Sequence, residues 1–399
     1  MARDVGRNPF TPGFGNLPRV FAGRKPEFAD LDTMVERVSK GIYEQARMVT
    51  GDRGMGKTAL LREFEQEQLE LGRWVVRASA TRGDALVGRL SRGLADLVAD
   101  HDLSGSLARA ASDALRRLAG ITLGPAGVRV ELEPAVRVDR AVELDHLLGE
   151  VASLAKHHDT ALLLLVDEAQ NVALGALGDV FHALQEVQGR TVTHRDPLTG
   201  ALARDSLPLG VVVAGLPGLV KRLKDAGSTF GERSKPVTLR AFSESDMREV
   251  LPALAADGGA VFDADALAAV MTACGGYPYF LHVVGSHVWN AGEGDVITVA
   301  DARHGIAAAG PFIAEFYGAR LRELGDLQRR YLHAAAGVAS HERTPGRVAQ
   351  ALGRSSSQLG STQAKLVHDH GLLRTTHDGR LEFALPGLDS HLRGLAVPD

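Results

Sequence analysis

Short apolar runs alternate with longer helical patterns over roughly the first 240 residues of the chain. Alternation of this kind is typical of an α/β fold built on a parallel sheet. Because a strand covered on both faces has no polar positions, the wholly apolar run Leu162–Val166 predicts a central strand. The runs that predict strands are Gln45–Thr50, Trp74–Ser79, Ala161–Val166, Gly210–Ala214 and, last in the core, Pro236–Leu239.

Two segments interrupt the alternation. Residues 101–140 contain an amphipathic stretch, Leu107–Leu118, and then a Gly-Pro turn between two β-like runs within Ile121–Leu132, so we interpret them as an insertion. The second segment, Gly189–Ser206, is polar and rich in turn-forming residues. It predicts an exposed loop.

The pattern changes again after the α/β region. From Ser243 it favours short helices around the sequence GGYPYF, and after Gly310 it favours further helices followed by a tight turn at His377-Asp378-Gly379. The N-terminal sequence NPFTPGFG (Asn8–Gly15) favours an extended segment that packs through its two phenylalanines, on its own core or on a neighbour. We therefore predict an arm over residues 1–19, an α/β core over 20–242, a helical lid over 243–309 and a C-terminal domain over 310–399.

Composition excludes several classes of protein. The 399 residues are 45% hydrophobic and 24% charged, with 45 Lys+Arg against 49 Asp+Glu, which argues against a uniformly cationic surface. A single cysteine, Cys274, excludes an intramolecular disulfide and a multi-cysteine metal site. The N-terminus has no apolar core typical of a signal peptide, and no run is long enough to cross a bilayer. We expect a cytoplasmic protein without a membrane partner.

The strongest motif is GDRGMGKT at residues 51–58, which matches G-x-x-x-x-G-K-[ST] and lies between a predicted strand and a helical pattern. Glycines let the backbone curl so that its N–H groups point at phosphate, the lysine reaches the β- and γ-phosphates, and the threonine hydroxyl binds Mg²⁺. The motif therefore predicts binding of ATP with Mg²⁺. The predicted nucleotide-binding residues are Gly51, Asp52, Arg53, Gly54, Met55, Gly56, Lys57, Thr58 and Ala59.

Two carboxylates follow the most apolar strand, in LLLLVDEAQ (Leu162–Gln170). Ligands of open α/β sheets bind at the carboxyl ends of the strands. We predict that Asp167 holds Mg²⁺ together with Thr58, and that Glu168 orients and polarises the attacking water.

Arg233, in the sequence STFGERSKP just before the last core strand, is a candidate arginine finger. An arginine there can neutralise the charge that develops on the γ-phosphate, in the same subunit or in a neighbour. Lys57, Glu168 and Arg233 are thus the predicted catalytic residues.

These motifs together resemble the border between the AAA+ and STAND groups of P-loop ATPases, the bacterial ATP-binding type that is similar to origin-recognition initiators. The resemblance covers roughly residues 18–399. It implies a P-loop sheet core with an α-helical lid and a C-terminal winged helix. It further implies that the segment from Val20 to Arg24 lies against adenine and that the Gly276–Pro278 turn, with Tyr277, closes over the nucleotide. The matching segments are Phe21–Leu31, the phosphate loop, VDEAQ, Ala214–Leu219, Gly231–Arg233 and Gly275–Leu281.

The chain departs from this pattern at two places. The strand with Ala214 and Gly215 lacks the Asn or Thr that many AAA+ enzymes use there to sense the γ-phosphate, and Pro278 stands where many present an arginine. We therefore expect slow turnover, as in a switch rather than a processive motor.

The C-terminal pattern predicts a winged helix, with helices at Asp326–Ala339, Pro345–Leu352 and Ser357–His370 before the hairpin. Such a fold reads DNA through its third helix, but its few cations fit packing or protein contact equally well. The candidate DNA contacts are Ser361, Gln363, Lys365 and His368, with Arg354, Arg374 and Arg380 beside phosphate.

The sequence thus predicts an ATP-binding, slowly hydrolysing ATPase that acts as a nucleotide-controlled switch. Its output partner is double-stranded DNA in one hypothesis and a protein effector, as in STAND-type signalling or defence, in the other. A homo-oligomer fits both. A third hypothesis, a nucleotide-binding scaffold without turnover, follows from the absent sensor.

Overall fold

The computed structural model describes residues 3–395 except 14, 16, 82–85, 102–108, 110–112, 114–120, 125, 126, 131–139, 196 and 197. The chain forms two compact units. The first contains Met1–Arg24, Gly51–Ala59 and Leu239–Asp399, and the second contains Lys25–Thr50 and Leu60–Thr238.

The second unit is built on a five-stranded sheet in the order β2-β5-β8-β1-β9, in which all neighbouring strands are parallel. Every residue of β5 and β8 is buried, as expected for central strands. This is the α/β fold with a parallel core that the alternation predicts. The five strands are β1 (Arg47–Thr50), β2 (Trp74–Ser79), β5 (Leu162–Asp167), β8 (Leu209–Gly215) and β9 (Lys235–Thr238).

Helices pack on the sheet through apolar residues at helical spacing. In α1 the buried residues Leu31, Met34, Val35 and Val38 recur every three or four positions, which places them on one face. The helices are α1 (Lys25–Ser39), α2 (Lys57–Glu70, whose first turn falls in the first unit), α3 (Leu86–Asp100), α4 (Arg140–His157), α5 (Leu174–Gln188), α6 (Leu219–Asp225) and α7 (Phe230–Arg233).

The two interrupting segments contain short antiparallel hairpins. The β-like runs of the predicted insertion form β3 (Ile121–Gly124) and β4 (Gly127–Val130), whereas most of residues 107–118 lies outside the described residues. The segment predicted as an exposed loop instead contains β6 (Thr191–Arg195) and β7 (Leu202–Ser206). The prediction of a loop was wrong because β6 is exposed at every position, so it carries no alternation of apolar and polar residues.

The first unit is mainly helical after residue 239. Its helices and strands are α8 (Glu244–Asp257), β10 (Val261–Phe262), α9 (Ala264–Cys274), α10 (Pro278–Ala291), β11 (Val296–Ile297), α11 (Val299–Arg322), α12 (Asp326–Gly337), α13 (Pro345–Ala351), α14 (Ser356–His368), β12 (Leu373–Thr375), β13 (Leu381–Phe383) and α15 (Leu388–Arg393). The three helices and the hairpin expected near the C-terminus are present. Helix α11 runs without a break across residues 309 and 310, so the proposed domain junction there stays a prediction.

The N-terminal arm docks on the helices of its own unit. Phe10 is buried, and a Cβ at Gly285 would lie 2.3 Å from its ring. The absence of a side chain at Gly285 therefore leaves room for the ring. The Thr11 amide donates to Nδ1 of His282, and burial lowers the pKa of that imidazole to about 4. Arg3 is also buried and donates to the carbonyls of Trp289 and Val296. The arm is therefore part of the core of the first unit.

Candidate nucleotide-binding site

The phosphate loop has the glycine-dependent conformation that its motif predicts. Gly54 and Gly56 have φ values of +84° and +86°, in the left-handed region that side chains rarely adopt. A Cβ at Gly54 would also lie 2.5 Å from the Tyr277 hydroxyl. Glycine is thus required at position 54 both by backbone conformation and by close packing.

Carbonyl groups of the loop itself hold the ammonium group of Lys57. Its Nζ donates to the carbonyls of Gly51 at 2.7 Å and Asp52 at 3.0 Å, and the residue is only 5% exposed. A buried cation inside a ring of backbone groups is suited to a polyanion, because low exposure strengthens its attraction to phosphate.

The C-terminal hairpin contacts the phosphate loop through an ion pair. Arg374, in β12, donates from Nε to Oδ2 of Asp52 at 2.8 Å, and its Nη2 lies 2.5 Å from the same oxygen. The Asp52 side chain is 7% exposed, and a Cβ at Gly371 would lie 3.2 Å from its Oδ1. Arg374, predicted to lie beside DNA phosphate, is therefore bound to the nucleotide loop in this structure.

Two further residues contact the loop at Arg53. The hydroxyl of Tyr277 donates to the Arg53 carbonyl, and burial raises the pKa of that hydroxyl. The Arg53 guanidinium lies 3.6 Å from the carboxylate of Glu323. Pro278 is the first residue of α10, where its missing N–H costs no hydrogen bond. The Gly276–Pro278 turn thus adjoins the loop through Tyr277.

Arg24 supports the loop from the other side. Its Nη2 donates to the carbonyls of Met55 at 3.0 Å and Arg240 at 2.8 Å, and its guanidinium stacks 4.5 Å from the centre of the Phe242 ring. Val20 is half-buried against the helical core of the same unit. Contact of Val20 and Arg24 with adenine stays a prediction, as do the nucleotide contacts of the loop residues.

The acidic pair lies at the carboxyl end of β5 in the second unit. Asp167 is 1% exposed, and its Oδ1 accepts the backbone N–H of Glu168 at 2.8 Å. Glu168 is half-buried and has φ +54° and ψ +34°, a left-handed conformation that costs a non-glycine residue about 1 kcal/mol or more. Thr50, which precedes the phosphate loop in the chain, lies at the same carboxyl end of the strands, since β1 and β5 both pair parallel with β8.

Gln170 also lies in this region, although no motif in the sequence predicts its contacts. Its Nε2 donates to Oε2 of Glu168 at 2.5 Å, and its Oε1 accepts the backbone N–H of Leu216 at 3.1 Å. The sequence features that could have indicated these contacts are the glutamine two residues after Glu168 and the glycine at position 215.

Arg233 lies at the opposite end of the strands of this sheet. It precedes β9, which pairs parallel with β1, so it is at the amino end of the strands, whereas Asp167 and Glu168 are at the carboxyl end. A strand of this length spans about 13 Å at about 3.3 Å per residue. Arg233 is exposed, and the structure does not bring it together with the acidic pair.

The remaining DNA candidates lie near or on α14. Ser361, Lys365 and His368 are exposed and Gln363 is half-buried, while the opposite face buries Leu359, Thr362 and Leu366. Arg354 is exposed just before the helix, and Arg380 lies 2.6 Å from Asp378 in the hairpin.

The Thr58 hydroxyl in the first unit and the buried Asp167 carboxylate in the second are each an oxygen donor of the kind that Mg²⁺ takes alongside phosphates and water. No group of three or more His, Cys, Asp or Glu suited to a metal ion occurs among the residues that the structure describes. Within the same described part of the chain, no helix is long and apolar enough to cross a membrane.

Comparison with known proteins finds family matches for two parts of the chain. Residues 20–191 match the AAA ATPase domain family, and residues 314–392 match a domain family of unknown function, DUF8462. No curated protein sequence matches the chain significantly. A Walker-type ATPase of Pyrococcus abyssi has a similar fold, with 17% identity and a TM-score of 0.65 over 96% of this chain and 99% of that one.

Two further structures are more distant. The ORC1 protein of Aeropyrum pernix in complex with DNA is 14% identical with a TM-score of 0.46, over 97% of this chain and 96% of that one. Cdc6p of Pyrobaculum aerophilum is 14% identical with a TM-score of 0.47, over 99% of this chain and 98% of that one. Residues 20–191 thus match an AAA ATPase domain, which supports an ATP-hydrolysing P-loop enzyme.

Proposed function

We propose that this ATPase is a slow, nucleotide-controlled switch whose state is passed to its C-terminal segment. Lys57 binds the β- and γ-phosphates, and Thr58 and Asp167 hold Mg²⁺, which neutralises charge on the phosphates. Glu168 orients the water that attacks the γ-phosphorus and accepts its proton. These roles rest on the motif and on the burial of Lys57 and Asp167.

One observation carries the proposal of a switch: the ion pair between Asp52 and Arg374. Asp52 is the second residue of the phosphate loop, so the negative charge of a bound nucleotide would repel its carboxylate and alter its ion pair with Arg374. Arg374 belongs to the segment that matches the family of unknown function. An ion pair of this kind gives nucleotide binding a direct path to the C-terminal hairpin.

Arg374→Ala is expected to weaken binding of a non-hydrolysable ATP analogue by about three- to tenfold. The substitution leaves the buried Asp52 carboxylate as an uncompensated negative charge in a loop that binds phosphate. The double variant Asp52→Ala/Arg374→Ala lacks both charges and should recover most of the affinity. Titration calorimetry measures both effects.

Arg380→Ala is the matched control, because Arg380 belongs to the same hairpin and pairs with Asp378. Equal affinity in Arg374→Ala, Arg380→Ala and the parent would contradict the coupling. Hydrogen exchange over residues 371–385 tests the path itself. The analogue should change exchange there in the parent, and this change should be absent in Arg374→Ala.

DNA is the output partner that we propose. In this proposal residues 310–399 act as a winged helix, α14 enters the major groove, and Arg354 contacts phosphate. The exposure of Ser361, Lys365 and Arg354 supports it. Duplex DNA should then stimulate phosphate release above the rate of the protein alone.

Arg354→Ala/Lys365→Ala is expected to flatten the salt dependence of DNA binding. If both cations contact phosphate, the slope of log K against log salt becomes less steep by about two. Mobility shifts at several salt concentrations measure it. Arg322→Ala/Arg330→Ala removes two arginines from neighbouring helices and is the matched control. Arg374 is left intact, because its loss would also release Asp52.

A protein effector is the second candidate output. The observation that favours it is the engagement of Arg374 by Asp52, which leaves the hairpin with fewer cations to offer to DNA. Absence of salt-sensitive DNA binding and of stimulation by DNA would remove the first output. The C-terminal segment would then act as a protein-interaction module, as in STAND-type switches.

A further inference from the structure

The side chain of Gln170 bridges two strand ends in the second unit. Its amide nitrogen donates to the Glu168 carboxylate at 2.5 Å, and its carbonyl oxygen accepts from the Leu216 backbone at 3.1 Å. Glu168 follows β5, and Leu216 follows β8, its neighbour in the sheet. The bridge therefore joins the candidate base to the strand that lacks a polar sensor.

Gly215 leaves room for this bridge. A Cβ at position 215 would lie 2.7 Å from Cδ2 of Leu219 and 2.8 Å from Oε1 of Gln170, closer than real Cβ contacts. The carboxamide of Gln170 and the side chain of Leu219 therefore pack directly against the glycine.

The backbone around Gln170 fixes its side chain near Glu168. Glu168 has a left-handed backbone conformation, and a short 3₁₀ turn, Ala169–Asn171, follows it directly. The side chain of Asn171 holds this turn by donating to the carbonyl of Ala80 at 3.1 Å. The turn thus has little freedom to carry Gln170 away from the carboxylate.

We propose that Gln170 is a positioning residue for hydrolysis, which fixes the orientation of the Glu168 carboxylate and links it to the end of β8. The inference rests on the role of Glu168 in the proposed function.

Two substitutions separate this role from packing. Gln170→Met keeps the length and volume of the side chain but has no hydrogen-bonding amide. Gln170→Glu keeps an acceptor for the Leu216 N–H but replaces the donor to Glu168 with a like charge, which repels that carboxylate. Gln185→Ala, on α5, is the control for loss of a half-buried glutamine elsewhere in the unit.

Gln170→Met is expected to lower kcat about tenfold while the affinity for ATP stays within about twofold. Gln170→Glu should lower kcat at least as much, because its carboxylate cannot donate a hydrogen bond to Glu168. The control should match the parent in both measurements.

Parent-like kcat in both Gln170→Met and Gln170→Glu would overturn the positioning role. Equal turnover in Glu168→Gln and the parent would overturn the catalytic role of Glu168 in the proposed function. The double variant Glu168→Gln/Gln170→Met separates the two: a loss well beyond that of Glu168→Gln alone would show that Gln170 does not act through Glu168.

Discussion

Glu168→Gln is expected to lower steady-state phosphate release by at least about a hundredfold while ATP still binds. The glutamine keeps the shape of the side chain and can still position water, but it cannot accept a proton at neutral pH. Phosphoryl transfer depends mainly on positioning and charge, so the loss of the base affects turnover and not the ground-state complex. A phosphate-release assay with titration of labelled ATP measures both quantities.

Lys57→Ala provides the contrasting control. It removes the cation that we assign to the β- and γ-phosphates, and we expect it to lose ATP binding and turnover together. Loss of turnover with retained ATP in Glu168→Gln therefore identifies a catalytic residue. Turnover that persists in Glu168→Gln would assign the base to another residue, and a parent without turnover would support the scaffold hypothesis.

The central sheet could be predicted because burial removes polar residues from its strands. The run Leu162–Val166 matches β5, since a strand covered on both faces leaves a plain apolar signal, and Trp74–Ser79 matches β2, in which buried and half-buried residues alternate. The hairpin of β6 and β7 leaves no such signal, because β6 has no buried face. Sequence patterning thus reports the burial of a strand more directly than the strand itself.

The residues of the phosphate loop and the acidic pair could be predicted because local chemistry fixes them. Their tertiary partners could not, since no local pattern links residues as far apart as Asp52 and Arg374, or Gln170 and Leu216. The same limit explains why Arg374 was predicted as a DNA contact. The sequence of a hairpin does not show whether its arginine contacts DNA or a carboxylate of the same chain.

Arg233→Ala is expected to lower turnover by about a thousandfold at protein concentrations that permit assembly, if Arg233 is an arginine finger. Arg233 and the acidic pair lie at opposite ends of the strands of one sheet, so an action within the same subunit would need the arginine to cross the length of the strands. We therefore expect that a finger role of Arg233 would act on the nucleotide of a neighbouring copy. Arg195→Ala, which removes an exposed arginine from the β6–β7 hairpin, should leave turnover unchanged.

Mixing two inactive variants tests this directly. Lys57→Ala subunits retain Arg233 but bind no ATP, and Arg233→Ala subunits bind ATP but lack the finger. In an equal mixture, about half of the intact phosphate loops face a neighbour with Arg233, so turnover per intact loop should return to about half that of the parent. The recovered activity should fall on dilution, because the complete site exists only in the assembly. No recovery on mixing, with parent turnover per subunit constant on dilution, would place Arg233 outside the reaction of a neighbour.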